Sequence, residues 1–246
     1  MNLQPYYEDS FQSERSRSAS DLLGDLIPSS KALYNYVIES KDRFLPNLDW
    51  QGLKVLELGA GRGGVSLMLA RLGASVTLVD FSPSALEQAN KIFAHEGLEA
   101  KTIVADVTHP DFDLDQKFDL IVDSHLLHCL TEDPDRTSYY GLIGDHLTDK
   151  GIFVCESMVY RKKLFIPDGF MFDERKVLWQ MFGKWTPVRR ILDSLDLEQE
   201  LNSAGFNIAY FMYYGQFGFV PHRTFMDVPS EILPAAVRFV IQKKPE

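Results

Sequence analysis

The segment Val55-Leu56-Glu57-Leu58-Gly59-Ala60-Gly61-Arg62-Gly63-Gly64 joins an apolar run to a glycine-rich turn. Residues 54–58 are typical of a strand buried on both faces, and residues 65–72 have apolar positions at helical spacing. Four glycines in six positions allow a sharp turn and a close approach to a ligand, because they carry no Cβ. The turn would aim backbone N–H groups and the positive end of a helix at that ligand. The pattern predicts a nucleotide-like ligand beside the turn.

Glu57, two residues before the first glycine, indicates which ligand this turn binds. The glycines also satisfy Gly-x-Gly-x-x-Gly, the pattern of dinucleotide sites. A carboxylate this close would repel a pyrophosphate, whereas it would attract a cationic amine. The E-x-G-x-G-x-G segment resembles motif I of the class I methyltransferases that use S-adenosylmethionine, a ligand that combines an adenosine with an ammonium group. This resemblance implies cofactor contacts at Glu57, Gly59, Ala60, Gly61 and Gly63.

Length and composition favour one α/β domain with additions. The chain has 246 residues, of which 45% are hydrophobic, enough for a sizeable core. The net charge of −10 argues against a nucleic-acid partner, which would favour a basic face. No apolar run reaches the length of a membrane span, and the first residues lack the order of a signal peptide. With two cysteines and no disulfide pattern, we expect a cytoplasmic protein without membrane contact.

Strand and helix signals alternate along the chain, which predicts a parallel sheet with helices on both faces. Ser82 and Pro83 are typical of a helix start, and that helix would end near His95. Further helices are expected at 139–147 and 197–204, and a loop with three prolines precedes the last strand. The expected fold is a Rossmann-like, mostly parallel sheet of seven strands, at 54–58, 75–80, 100–105, 118–123, 151–158, 207–214 and 236–242.

Two regions depart from this alternation. Residues 1–50 have a polar start and a helical stretch at 29–44, and we interpret them as an arm or lid over a domain at 51–246. Residues 160–190 interrupt the passage from the fifth strand to its helix, and we expect a helical cap over the acceptor. Aromatic walls would suit an apolar, aromatic or cationic acceptor. Otherwise these rings form the core of the cap or a homodimer contact. The rings in question are Tyr6, Tyr7, Phe11, Phe170, Trp179 and Trp185.

Acidic residues close two of the predicted strands, at the edge where open α/β sheets bind ligands. Asp80 follows Gly61 by 19 residues, so it would accept hydrogen bonds from ribose hydroxyls. Asp106 matches the acid that contacts the adenine amino group in the family that the chain resembles, although capping a loop would explain it too. We also predict cofactor contacts at Phe81 and Val107, each of which follows one of these acids in the sequence.

The segment 118–128 is similar to motif IV of the same family. The resemblance places the residues after Val122, Ser124 among them, beneath the methionine part of the cofactor. His128 matches a position where many small-molecule members carry histidine, and it would act as a general base or cap the following turn. His125 is a weaker candidate for the same base. With Asp123 these histidines have metal-ligand chemistry, but their spacing fixes no single ligand face, so no metal is expected.

The sequence thus predicts an S-adenosylmethionine-dependent methyltransferase that acts on nitrogen or oxygen of a small molecule. The segment after the fourth strand lacks the Asn/Asp-Pro-Pro-Tyr motif of DNA and protein-amide methyltransferases. An RNA substrate is disfavoured by charge. Two alternatives stay open: a non-catalytic regulator that binds S-adenosylmethionine, and an NAD(P)-dependent oxidoreductase, which would have to tolerate Glu57 and lacks a Tyr-x-x-x-Lys pair.

Overall fold

The computed structural model describes residues 4–161, 163–216 and 232–244. The predicted proline-containing loop before the last strand lies mostly at 217–231, outside the described residues. The helices are α1 (Gln4–Ser13), α2 (Ala19–Phe44), α3 (Gly64–Ala70), α4 (Pro83–His95), α5 (Asp133–His146) and α6 (Ser194–Ser203). The strands are β1 (Lys54–Leu58), β2 (Ser75–Asp80), β3 (Lys101–Val104), β4 (Phe118–Ser124), β5 (Leu147–Tyr160), β6 (Phe170–Phe172), β7 (Val177–Met181), β8 (Trp185–Arg190), β9 (Leu192–Asp193), β10 (Phe206–Gln216) and β11 (Ala235–Lys243).

The central sheet has the strand order β10-β11-β5-β4-β1-β2-β3, with the short β9 added beside β5. Strands β1 to β5 run parallel to one another, whereas β11 runs antiparallel to both β5 and β10. The predicted Rossmann-like, mostly parallel sheet is therefore confirmed. The chain winds outward from β1 toward β3 and then returns to β4 on the other side. This change of direction opens a crevice at the carboxyl ends of β1 and β4, where open α/β sheets bind ligands.

Side chains of strand β1 are buried on both faces of the central sheet. Successive side chains of a strand point to opposite faces. Leu56 and Leu58 are fully buried in one hydrophobic core, while Val55 is fully buried in the other. Helices α2, α3 and α4 contribute to the second of these cores. The continuous apolar run of β1 is thus the sequence signature of two cores.

Several elements extend beyond their predicted limits. Helix α5 begins at Asp133 rather than at residue 139, with Pro134 in its first turn and acidic side chains near its positive end. Strand β5 covers Leu147–Tyr160, because its start pairs with β4 at Phe118 and its end pairs with β11 and β9. Pairing with neighbouring strands therefore makes β5 longer than the strand that the apolar residues at 151–158 predict.

The insert at 160–190 is not helical, and the predicted helical cap is wrong. Strands β6, β7 and β8 form a separate antiparallel sheet in that order. Its β7–β8 hairpin turns at Gly183, whose φ of 72° is in the left-handed region that glycine tolerates. Leu178 and Val188 are buried and face a small core of their own beside the long strand β5. Aromatic and β-branched residues at alternating positions favour strands over a helix here.

The N-terminal arm consists of two helices. Helix α2 begins ten residues earlier than predicted, at Ala19, because the side chain of Ser18 accepts a hydrogen bond from the Asp21 N–H (3.1 Å) and caps it. The polar start forms α1, which lies against α4 through Glu8. Its carboxylate accepts hydrogen bonds from the Ser82 hydroxyl (2.6 Å) and the Ser84 N–H (3.3 Å). Burial alone would raise the pKa of Glu8, but these bonds hold it at about 2.

No helix within the described residues is long and apolar enough to cross a membrane.

Candidate active site

Two adjoining cavities lie at the carboxyl ends of β1, β2 and β4. The larger has a volume of about 600 Å³ and the smaller about 270 Å³. Of the sequence-predicted residues, the larger cavity is lined by Gly59, Gly61, Asp80, Phe81, Ser124, His125 and His128. Asp106 and Val107 line the smaller one, which shares Gly59, Asp80 and Phe81 with the larger. Glu57, Ala60 and Gly63 line neither cavity.

The glycine turn is required by packing as much as by access to the cavity. Gly59, Gly61 and Gly63 have φ values of 61°, 53° and 68°, which L side chains rarely adopt. A Cβ at Gly59 would lie 2.8 Å from the Cβ of Leu126, and one at Gly63 would lie 2.8 Å from a methyl of Leu78. Substitution at either position would therefore push neighbouring elements apart, besides straining the turn.

Glu57 is buried beside the turn, with an exposed fraction of 1%. Its Oε2 accepts a hydrogen bond from the N–H of Ser66, 3.0 Å away, in the first turn of α3. Burial raises the pKa of Glu57 to about 7, and the nearby carboxylates of Asp123 and Asp80 add to the rise. This position gives Glu57 a capping role on α3. Its contact with the amine of a bound cofactor stays a prediction.

The raised pKa of Glu57 makes the stability of the fold depend on pH. Between its ordinary value of 4.5 and about 7, the folded carboxyl keeps a proton that the unfolded chain loses, so the free energy of unfolding falls as pH rises. Between pH 4.5 and pH 8, we expect the free energy of unfolding of Glu57→Gln to fall by about 2–3 kcal/mol less than that of the wild type. Urea unfolding at several pH values measures it. The exposed Glu99→Gln variant is the control, and parallel pH curves for wild type and Glu57→Gln would contradict the prediction.

Asp80 is held in one orientation at the end of β2. Its Oδ2 accepts the N–H of Gly61 and its Oδ1 accepts the N–H of Ser82, both at 2.8 Å. Burial raises the pKa of Asp80 above its ordinary value. Each carboxylate oxygen has two acceptor sites, so one bond to the backbone leaves capacity for a ligand hydroxyl. The side chain is therefore a pre-oriented acceptor between the two cavities.

Asp106 caps its own loop and also lines the smaller cavity. Its Oδ1 accepts the N–H (3.0 Å) and the hydroxyl (2.7 Å) of Thr108, so the residue caps its own loop. The same residue lines the smaller cavity together with the buried Val107. A capping role thus does not remove Asp106 from the wall of this cavity.

His125 belongs to a network that spans three neighbouring strands. Its Nε2 lies 2.6 Å from the Oε1 of Glu156, and Arg238 donates a hydrogen bond to the other oxygen of Glu156. Burial alone would raise the pKa of Glu156, but the bond with His125 and the charge of Arg238 lower it. The φ of 81° at His125 is a strained conformation for a non-glycine residue, of the kind that clusters at functional sites.

Sequence reasoning missed Glu156 and Arg238, which also line the larger cavity. Both lie inside strands that read simply as apolar runs. The only available signal is that a charged residue interrupts each run. The register brings them together, since Glu156 pairs with Ser124 on one side and with Arg238 on the other.

His128 lies in a short 3-10 turn at Leu127–Cys129, with an exposed fraction of 2%. Its Nδ1 is 3.4 Å from the hydroxyl of Ser157. Burial lowers the pKa of His128 well below its ordinary value, and the positive charge of Arg189 adds to this effect. The imidazole is therefore neutral at neutral pH.

The turn that carries His128 is fixed from two sides. Asp123 accepts the N–H groups of Leu126 (2.6 Å) and Leu127 (2.9 Å). Arg136 donates to the carbonyl groups of Leu127 (2.7 Å) and Leu130 (3.1 Å). Within the described residues, no group of three histidine, cysteine or acidic side chains could hold a metal ion. Asp123 is used here to shape the turn.

Arg136 should be the most important side chain for the stability of this turn. It is buried and its Nε donates to Glu200 at 2.9 Å. We expect Arg136→Met to lower the free energy of unfolding by about 3–5 kcal/mol, because Glu200 and two carbonyl groups lose their partner. Guanidinium chloride unfolding measures it. Arg175→Met, which removes an exposed pair with Glu132, should leave the free energy of unfolding nearly unchanged. Equal losses would contradict the prediction.

The prediction that aromatic side chains of the insert cover the acceptor is wrong. Phe170, Trp179 and Trp185 are absent from the lining of both cavities. The insert instead contributes Arg189 to the larger cavity. Helix α1 contributes the rings of Tyr7 and Phe11, whereas Tyr6 is exposed and lines neither cavity.

Residues 55–151 match the family model of the methyltransferase domain. A segment of 42 residues is 55% identical to the mitochondrial ubiquinone biosynthesis O-methyltransferase of Schizosaccharomyces pombe, and it covers 17% of this chain and 15% of that protein. The chain spans between 15% and 22% of the length of the curated relatives it matches.

Solved structures share the fold across most of the chain. An S-adenosylmethionine-dependent methyltransferase from Clostridium acetobutylicum has a TM-score of 0.63 at 18% identity, with 87% of this chain and 92% of that chain covered. The 1,6-didemethyltoxoflavin-N1-methyltransferase of Burkholderia thailandensis, with bound S-adenosylhomocysteine, has a TM-score of 0.59 at 18% identity. The match covers 100% of this chain and 92% of that chain. Residues 55–151 thus match a methyltransferase domain, and the chain shares its fold with solved S-adenosylmethionine-dependent methyltransferases.

Proposed function

We propose that this protein transfers a methyl group from S-adenosylmethionine to nitrogen or oxygen of a small-molecule acceptor. The observation that carries the proposal is the pair of adjoining cavities at the carboxyl ends of β1, β2 and β4. Asp80 and Phe81 lie between them. The smaller cavity has acidic and apolar groups suited to an adenine, and the larger has titratable groups suited to acceptor chemistry.

The lining residues fit the cofactor. Asp80 would accept hydrogen bonds from the ribose hydroxyls, because its carboxylate is already oriented by Gly61 and Ser82. Asp106 and Val107 would hold the adenine in the smaller cavity. Gly59, Gly61 and Ser124 would contact the methionine part in the larger one. When bound, the cofactor supplies an electrophilic methyl group on a sulfonium that leaves as a neutral thioether.

A small molecule suits the larger cavity better than a polymer does. Its volume of about 600 Å³ is within the range of small-molecule sites, which runs from about 300 to 1,000 Å³. Helix α1 contributes Tyr7 and Phe11 to its wall. A ribosomal RNA methyltransferase of Haemophilus influenzae is also similar over 30% of this chain, at 35% identity. An RNA acceptor is therefore an outcome that the experiment below tests, although the charge of −10 disfavours it.

His125 is the proton acceptor that the contacts favour. Its ring lines the larger cavity, and its Nε2 lies 2.6 Å from the Oε1 of Glu156. Glu156 would stabilise the imidazolium formed when the ring takes the proton of the attacking hydroxyl or amine. His128 is buried and neutral, so we assign it to orienting the acceptor. The domain limits, the cytoplasmic location, the homodimer and the lack of a metal stay predictions.

Thermal unfolding and mass spectrometry test the proposal. S-adenosylmethionine and S-adenosylhomocysteine should each raise the Tm, while NAD should not. Incubation of a metabolite extract with methyl-labelled cofactor should give a labelled small molecule, and incubation with total RNA should give none. Stabilisation by NAD alone would favour the oxidoreductase alternative. Cofactor binding without any labelled product would favour the non-catalytic regulator.

A further inference from the structure

Arg189 brings a positive charge into the larger cavity from strand β8 of the insert. Its Nη1 donates to the hydroxyl of Tyr7 at 2.9 Å and to the carbonyl of Val188 at 2.6 Å. Neither partner is anionic, since burial raises the pKa of Tyr7 above its ordinary value. Among residues 4–161, 163–216 and 232–244, no aspartate or glutamate forms an ion pair with this guanidinium.

Two arginines near Arg189 each form an ion pair with an acidic side chain. Arg238, the other arginine that lines the cavity, is paired with Glu156. Arg190, which follows Arg189 in β8, is paired with Asp133. A partly buried guanidinium stays charged, and burying a charge without a counter-charge is costly. Among the described residues, Arg189 is therefore an arginine of the cavity wall with no carboxylate at ion-pair distance, in a wall that also contains the acidic Asp80 and Glu156.

The position of Arg189 is on the acceptor side of the site. It lines the larger cavity and not the smaller one. His128 lines the same cavity, and the charge of Arg189 helps to lower its pKa. An anion paired with Arg189 would accordingly lie beside the turn that carries the histidines.

We propose that the acceptor is an organic acid whose carboxylate binds Arg189. This inference rests on the proposed function, and it names the substrate class. The planar guanidinium matches a carboxylate with two parallel hydrogen bonds, and its single positive charge matches a group with one negative charge better than a phosphate monoester. The carboxylate of the cofactor has the same chemistry, so the experiment must separate the two sources.

Isothermal titration of the full-length protein with matched acid and amide probes tests the inference. Benzoate and phenylacetate are compared with benzamide and phenylacetamide, each with and without saturating S-adenosylhomocysteine. We expect the acids to bind wild type at least about tenfold tighter than the amides, because only the acids pair with the guanidinium. Arg189→Gln should abolish this preference while the Kd of S-adenosylhomocysteine changes less than about twofold, and Arg189→Lys should keep part of it. Arg175→Gln, an exposed change in the same insert, is the control.

Three results would overturn the inference. The acids and amides could bind wild type equally well, the acid preference could persist in Arg189→Gln, or Arg189→Gln could weaken S-adenosylhomocysteine about tenfold without affecting acid binding. The last result would assign the guanidinium to the cofactor. The wild-type comparison is informative even if Arg189→Gln does not fold. Failure of S-adenosylhomocysteine to bind wild type would instead refute the proposed function.

Discussion

Replacing Asp80 with alanine is expected to raise the Kd of S-adenosylhomocysteine at least about 100-fold, because two hydrogen bonds to a charged acceptor are lost. The carboxylate is held toward the cavities by the N–H groups of Gly61 and Ser82. Its removal takes away both the proposed acceptor for the ribose hydroxyls and the group that accepts the Gly61 N–H in the glycine turn. Isothermal titration of the full-length protein measures the change.

The matched variants for Asp80 separate binding from folding. Asp80→Asn keeps one acceptor oxygen, so it should bind more tightly than Asp80→Ala and unfold at a higher temperature. Asp115→Ala removes a carboxylate from an exposed pair with Lys101 and should leave the Kd unchanged. Unaltered affinity in a folded Asp80→Ala protein would refute the ribose role.

Replacing His125 with alanine is expected to lower kcat about 100- to 1,000-fold, the range for loss of a general base. The affinity for S-adenosylhomocysteine should stay within about twofold, since a proton acceptor for the substrate contributes little to cofactor binding. Glu156→Gln should lower kcat less, because the imidazole remains but loses the carboxylate that stabilises its charged form. Rates are measured with the acceptor found in the extract.

The two histidines are distinguished by the same assay. His128→Ala should lower kcat less than His125→Ala does, because the pKa of His128 is well below its ordinary value and the ring is a weak base. His95→Ala, on the exposed end of α4, is the control for loss of an imidazole. A large loss in His128→Ala with normal turnover in His125→Ala would reverse the assignment.

Much of the cofactor half of the site could be predicted from the sequence. Asp80, Asp106 and Ser124 each lie at or just beyond the end of a predicted strand, and parallel strands bring their carboxyl ends to one edge. Glu57 shows where this reasoning stops. A position two residues before a glycine indicates that a carboxylate is near the turn, but the side chain faces α3 and accepts a backbone N–H there.

The insert was predicted least well, for a physical reason. Its elements are short, and short apolar runs do not distinguish a helix from a strand. Pairing between β7 and β8 decides the matter, because each strand supplies the hydrogen-bond partners of the other. The same pairing directs Arg189 toward the cavity and leaves Trp185 largely exposed.

The sequence by itself determined the central sheet, the glycine turn and the acidic residues at the strand ends that line the two cavities, because these are set by local periodicity and by residues at strand ends. Only the tertiary structure decided the acceptor side. His125, Glu156, Arg189 and Arg238 come from different strands and from the turn after β4, and pairing between distant segments brings them to one cavity. No local pattern encodes such a contact, since each partner is far away along the chain.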